Sequence, residues 1–294
     1  MDNTQMKNIQ WFPGHMTKTR RMIASNLSLV DGVAEILDAR TPLSSHNPEM
    51  DRLIKDKPHM VLLNKSDMAD EPSTQKWIAY FKKNNVVAIP IDCKTGKGIK
   101  SFLPILKTRV LNETIQKRIS QGAVGMPIRL MILGIPNVGK SSFINKMAKS
   151  KKTKVEDRPG VTRTKQWVKI DDGIELLDMP GVLWPKFEDQ KIAVRLAFTG
   201  SINDDILDIE ALSMKLLTYL SAKYPAALVS RYKIQISDDD SGLDLINKIA
   251  IKRGMLLSGG EINLERAAIT IIDEFRSGKL GKITLELPED FSNG

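Results

Sequence analysis

The chain has 294 residues, 41% hydrophobic and 5% aromatic, with a formal net charge of +9, which suits a domain of ordinary size plus a second, smaller one. A single cysteine, Cys93, excludes an internal disulfide and a thiolate zinc site. No window reaches the ~18 apolar residues of a membrane span, and the polar stretch Met1 to Gln10 lacks the apolar core of a secretory signal, so a cytoplasmic location is expected.

Charge is unevenly spread: residues 1–187 carry 31 Lys and Arg against 18 Asp and Glu, whereas 188–294 carry 13 against 17. A basic first part suits a polyanionic partner, nucleic acid above all, or is simply a solvated basic surface.

In chain order, Val33 to Leu37, Met60 to Leu63, Val86 to Ile91 and Ile128 to Leu133 are short, apolar and β-branched, each followed by a loop and a helical pattern. That alternation predicts an α/β fold with a mostly parallel sheet flanked by helices. Further strands are expected at Gln166 to Ile170 and Ile174 to Leu177, joined by the tight turn Asp171-Asp172-Gly173. From about Glu188 the periodicity is helical. After a candidate N-cap at Asn263, the residues Leu264, Ala267, Ala268, Ile271, Ile272 and Phe275 share one helix face, and Gly278 stands where the helix should end. The expected organisation is an α/β domain over 1–187 with an N-terminal extension 1–25, an all-helical domain over 188–287, and a frayed tail at 288–294.

Three motifs carry the chemistry. Asn64-Lys-Ser-Asp67 follows the second strand and fits N-K-x-D. Guanine offers two adjacent donors, N1–H and its exocyclic amine, which the Asp67 carboxylate can accept together, whereas adenine lacks the pair. Asn64 can steady the loop, and the Lys65 stem can cover the base. After the third strand, Asp92-Cys-Lys-Thr-Gly96 resembles the S-A-K loop of GTPases, with the backbone N–H groups of Cys93 and Lys94 expected at guanine O6. Gly134-Ile-Pro-Asn-Val-Gly-Lys-Ser141 fits G-x-x-x-x-G-K-[ST] between a strand and a helix. Its cradle runs through Asn137, Val138, Gly139, Lys140, Ser141 and Ser142, with Lys140 for the β- and γ-phosphates and the Ser141 hydroxyl for Mg²⁺. Asp178-Met-Pro-Gly181 then supplies a carboxylate for Mg²⁺ and an N–H at Gly181 for the γ-phosphate, and Thr162, or failing it Thr164, a second hydroxyl for the metal.

The base motifs precede the phosphate motifs, the reverse of ordinary small GTPases. Tandem domains would need a second P-loop, and only one is present; a circular permutation needs only a joining stretch, found at about Leu111 to Pro127. A P-loop ATPase is opposed by Asp67. A non-hydrolysing GTP-binding scaffold is compatible with Val182 and Leu183, which follow Gly181 where many GTPases carry a water-positioning Gln.

This motif order, together with Trp11-Phe-Pro-Gly-His-Met16 and Asp38-Ala-Arg-Thr-Pro-Leu-Ser-Ser-His-Asn-Pro48, resembles the circularly permuted GTPases of the YlqF/YawG family over essentially the whole chain. The resemblance implies a permuted P-loop GTPase fold with a helical C-terminal domain that binds RNA or the ribosome. It also implies a Mg²⁺-dependent GTPase that acts late in assembly of the large (50S) ribosomal subunit; a monomer is expected. The subunit, its rRNA and its ribosomal proteins would be its partners and would stimulate hydrolysis. It further implies that His15 orients the attacking water and that Asn137 ligates K⁺. The RNA surface is left open between the helical domain and a basic run, Lys146, Lys149, Lys151, Lys152, Lys154, Arg158, Arg163 and Lys165.

Overall fold

The computed structural model describes residues 16–54, 57–123, 125–149, 166–171, 173–181, 183, 184, 187 and 189–291. Among them, β1 (Gly32–Asp38), β2 (His59–Asn64), β3 (Val87–Pro90), β4 (Ile128–Leu133), β5 (Gln166–Asp171) and β6 (Ile174–Asp178) make one sheet of order β3-β2-β1-β4-β6-β5. All its pairings are parallel except β5, which returns antiparallel along β6. Every expected strand is present, its ends within one residue of the expectation and Ile128–Leu133 unchanged. Interleaved are α1 (Met16–Asn26), α2 (Pro48–Ile54), α3 (Glu71–Lys83), α4 (Ile99–Ile105), α5 (Asn112–Ser120) and α6 (Lys140–Lys149). Much of the joining stretch after Leu111 is therefore helix, and only 121–127 connects α5 to β4.

The strands read as apolar runs because both sheet faces are covered: every residue of β1 is buried. On one face Val33, Met131, Leu133 and Leu177 meet Ile23 of α1 and Met50 and Ile54 of α2. Farther along that face, Leu37, Val61 and Leu63 pack on Trp77 and Phe81 of α3. Helix α3 starts where it does because the Asp70 carboxylate accepts from Ser73 N–H at 2.9 Å and Pro72 stands in the first turn.

A second compact unit spans Phe187–Ile283 and contains α7 (Gln190–Phe198), α8 (Ile209–Lys223), α9 (Pro225–Tyr232), α10 (Gly242–Arg253) and α11 (Leu264–Arg276). The expected stripe of α11 is buried from Ala267 to Phe275, and Asn263 caps the helix by accepting from Arg266 N–H at 2.9 Å. Two boundaries need correction. Thr284 to Phe291 group with the α/β unit rather than the helical one. The tail is not frayed over its described part, because Pro288–Phe291 forms a 3₁₀ turn and Phe291 packs 6.2 Å from Trp77. An aromatic side chain three residues beyond a proline had the means to bury itself; only its partner was hidden.

One carboxylate in the sheet is conspicuous. Glu35 of β1 is 1% exposed and is matched by His46, whose Nδ1 lies 2.8 Å from Glu35 Oε2 and whose Nε2 lies 3.1 Å from Asp51. His59 stands 3.7 Å from the same carboxylate, too far to share the bond. Burial opposes a charged imidazole at His46, but the Glu35 charge and the bonds to Asp51 and Glu35 prevail and lift its pKa to about 10. Burial wins at His59, whose pKa is lowered. A raised histidine pKa contributes stability that is complete below the ordinary 6.5 and fades as pH rises through about 10. His46→Gln should therefore cost more stability at about pH 6 than above about pH 10 in paired urea titrations with the parent. Equal costs at both ends would mean that the folded imidazole is neutral.

Candidate GTP-binding site

The sheet order determines which loops can meet. Strand β1 lies between β2 and β4, so the ends of these three parallel strands are neighbours, with Asp38 paired opposite Asn64 in register. The crevice beyond the carboxyl ends of such strands is where open α/β sheets bind ligands. Two non-glycine residues in these loops take left-handed backbone, Lys65 at φ 59° and Asn137 at φ 63°. Asn64 Nδ2 donates to Val138 O at 2.7 Å, and Lys65 Nζ donates to Asn137 O at 2.7 Å. Gly139, at φ 97°, permits the clasp, since a Cβ there would stand 2.2 Å from Asn64 Nδ2. The base and phosphate motifs, 74 residues apart at Asn64 and Val138, thus interlock.

At the phosphate end, Lys140 opens α6 and its Nζ lies 3.0 Å from Asp178 Oδ1, both residues buried. Ser141 and Ser142 are exposed in the first turn of α6. Gly181 is pressed against the P-loop backbone: a Cβ there would lie 3.1 Å from Gly134 O and from Pro136 N. The structure thereby gathers Asn64, Lys65, Asn137, Val138, Gly139, Lys140, Asp178 and Gly181. His15, Thr162, Thr164, Val182 and the basic residues from Lys151 to Lys165 lie outside the described residues.

At the base end, Asp67 is exposed and no described residue bonds its carboxylate. The two backbone donors expected at guanine O6 both bond within the protein. Cys93 N–H points to Asn64 Oδ1 at 3.2 Å, and Lys94 N–H to Asp92 Oδ1 at 2.7 Å. The reason is Asp92 itself, a buried aspartate in the serine place of the S-A-K loop. Its second oxygen also takes Thr95 N–H at 3.2 Å and the Thr95 hydroxyl, folding the loop back on its own first residue. Of the two donors, Cys93 N–H has the longer bond and is the one that a second acceptor could share. The Cys93 thiol is inert, pushed up to about 12 by burial and by the Asp92 charge.

Asp38 was not expected in the site, and it stands at the centre of it. It is 1% exposed and takes Arg40 through Nε at 2.9 Å and Nη2 at 2.8 Å, with Lys65 Nζ on Oδ2 at 2.9 Å. Burial alone would raise this carboxyl, but the Arg40 and Lys65 charges hold it well below the usual carboxylate range. The visible hint was Asp38-Ala-Arg40 ending a buried strand, a charged pair where the chain is otherwise apolar.

A P-loop clasped to an N-K-x-D loop that precedes it in sequence defines a GTPase of permuted motif order. A family model described as "50S ribosome-binding GTPase" matches residues 129–224. Ribosome biogenesis GTPase A of Bacillus cereus is 46% identical over 283 residues, covering 96% of this chain and 95% of that protein. The same-named protein of Thermotoga maritima is 30% identical, covering 97% and 96%. Among solved structures, the GDP-bound TM YlqF superposes with a TM-score of 0.67 at 28% identity, covering 92% of this chain and all of that one. The chain belongs to the ribosome biogenesis GTPase A family, the YlqF group of permuted GTPases. It is a GTP-hydrolysing enzyme that acts in ribosome biogenesis.

Gly139→Ala tests the clasp. The added methyl meets Asn64 Nδ2 and strains a left-handed position, so GDP affinity should fall at least about tenfold in fluorescent-nucleotide titrations. An unchanged Kd would mean that the two loops need not touch.

Proposed function

We propose that the chain is a GTP-dependent assembly factor of the large ribosomal subunit, docking on immature 50S rRNA in its GTP form and leaving after hydrolysis. The clasp of Asn64 and Lys65 on Val138 and Asn137 carries this reading, since it makes one binding site of a base loop and a phosphate loop. The wording of the matching family model and the basic surplus of residues 1–187 support the large subunit and its rRNA as partner. The helical unit or the basic run around Lys151 and Lys152 would make the contact, and late-joining ribosomal proteins would be neighbours. The chain would work in the cytoplasm as a monomer.

In this reading Asp67 accepts the two guanine donors, the Lys65 stem covers the ring, and the Cys93 amide shares its long bond with O6. Backbone N–H groups from Asn137 to Ser142 hold the α- and β-phosphates at the start of α6. Lys140 exchanges Asp178 for the β- and γ-phosphate oxygens, and the Gly181 N–H, already against the P-loop, reports the γ-phosphate. The donor set of Ser141, Asp178 and Thr162, two hydroxyls and a carboxylate, has the hard-oxygen chemistry that Mg²⁺ takes. Ser141, Asp178 and Thr162 would hold Mg²⁺, which would supply positive charge to the phosphates, and Asn137 would hold K⁺, which would add to it. A water oxygen attacks the γ-phosphorus, the bond to the β-γ bridging oxygen breaks, and GDP and phosphate result. His15 is the proposed orienting residue for that water, a role chemically open to imidazole near neutral pH.

Single-turnover hydrolysis, with and without 50S subunits and in K⁺ or Na⁺ buffer, tests the proposal. A rise of at least about tenfold with subunits, larger in K⁺, is expected. Equal 50S affinity of the GDP and GTP-analogue forms would refute the switch. Separately, Asp67→Asn should weaken GDP binding by ~10–100-fold while admitting xanthosine diphosphate, because an amide can face a ring carbonyl where a carboxylate cannot. Retained guanine preference in that variant would remove Asp67 from base recognition.

A further inference from the structure

The segment that returns from the helical unit seats on the back of the base loop. Thr284 Oγ1 accepts from Asp70 N–H at 3.0 Å, three residues after Asp67, and Leu285 N–H donates to Arg40 O at 2.8 Å. Glu286, 1% exposed, places its carboxylate on the 43–44 turn, accepting from Leu43 N–H at 2.6 Å, Ser44 N–H at 2.9 Å and the Ser44 hydroxyl. Its carbonyl accepts from Trp77 Nε1 at 3.0 Å. A buried carboxylate matched by two main-chain donors and a hydroxyl is a built anion nest, and its occupant belongs to this same chain.

What that nest steadies is the support of the nucleotide loops. The 40–44 turn begins with Arg40, which grips Asp38, which in turn holds Lys65 on the Asn137 carbonyl of the P-loop. Because β1 lies between β2 and β4, a shift of the turn at its end reaches both loops at once. We propose that Glu286 is a positioning residue for guanine-nucleotide binding, acting through the 38–44 turn and Lys65, so that seating of the 284–286 segment sets nucleotide affinity. This deepens the proposed function and rests on its assignment of the base loop.

Glu286→Gln removes the negative charge that draws the Leu43 and Ser44 N–H groups and makes the Ser44 hydroxyl accept instead of donate, and is expected to raise the Kd for GDP about five- to tenfold and speed GDP release. Lys65→Met should weaken GDP binding at least as much, and the double variant should match Lys65→Met alone, because both changes break one chain of contacts. Ile271→Val, a core change in the helical unit that lowers Tm, serves as the control and should leave Kd unchanged. Should Glu286→Gln not fold, Thr284→Val and Ser44→Ala, each removing one bond from the same segment, are expected to speed GDP release twofold or more. A folded Glu286→Gln protein with parental Kd, effects of Glu286→Gln and Lys65→Met that multiply, or a Kd that tracks Tm across all variants would overturn the proposal. A parent chain that binds ADP as well as GDP would instead overturn the base-loop assignment, and this inference with it.

Discussion

Two hydrogen bonds join loops that the chain makes far apart. Asn64 reaches Val138 O and Lys65 reaches Asn137 O, each at 2.7 Å, and the space for them exists only because Gly139 has no side chain. With the loops interlocked, the base motif and the phosphate motif form one site, as the proposed function requires. Permuting the motif order leaves this intact, since what matters is that β2 and β4 flank β1 in the sheet, not which is made first.

The site also shows how buried charge is kept tolerable. Asp38 is matched by Arg40 and Lys65, Lys140 by Asp178, and Glu35 by His46. Each set trades desolvation against pairing, so such pairs fix geometry more than they add net stability. The Lys140 pair differs in purpose. In the proposed function its lysine meets the phosphates and its carboxylate the metal, and the bond between them holds two charges together in a buried place.

Much of this was legible in the residues. Strands announced themselves because a sheet covered on both faces demands continuous apolar runs, and the loops because tight phosphate and base contacts demand particular residues at fixed spacing. The helical face from Leu264 to Phe275 was equally plain. What stayed hidden were polar residues whose partners lie elsewhere in the chain. Glu286 bonds Ser44 from 242 residues away, and Asp92 resembled a mere stand-in for serine until its three acceptor contacts closed the loop. Phe291 was read as tail because nothing nearby tells a chain end that Trp77 is waiting. Local pattern encodes local backbone; a buried carboxylate's value is set by whatever the fold later brings to it.

The return of the chain at Thr284 has a consequence for biosynthesis. The α/β unit has its first described helix at Met16, yet it gains Glu286 and Phe291 only after the whole of Phe187–Ile283 has been made. During translation the earlier unit must therefore wait, with Trp77 and the 43–44 amides lacking these partners, while nearly a hundred intervening residues emerge and fold. Contacts so distant in sequence close slowly, and an emerging chain halted before residue 286 would hold the nucleotide motifs without the segment that backs them.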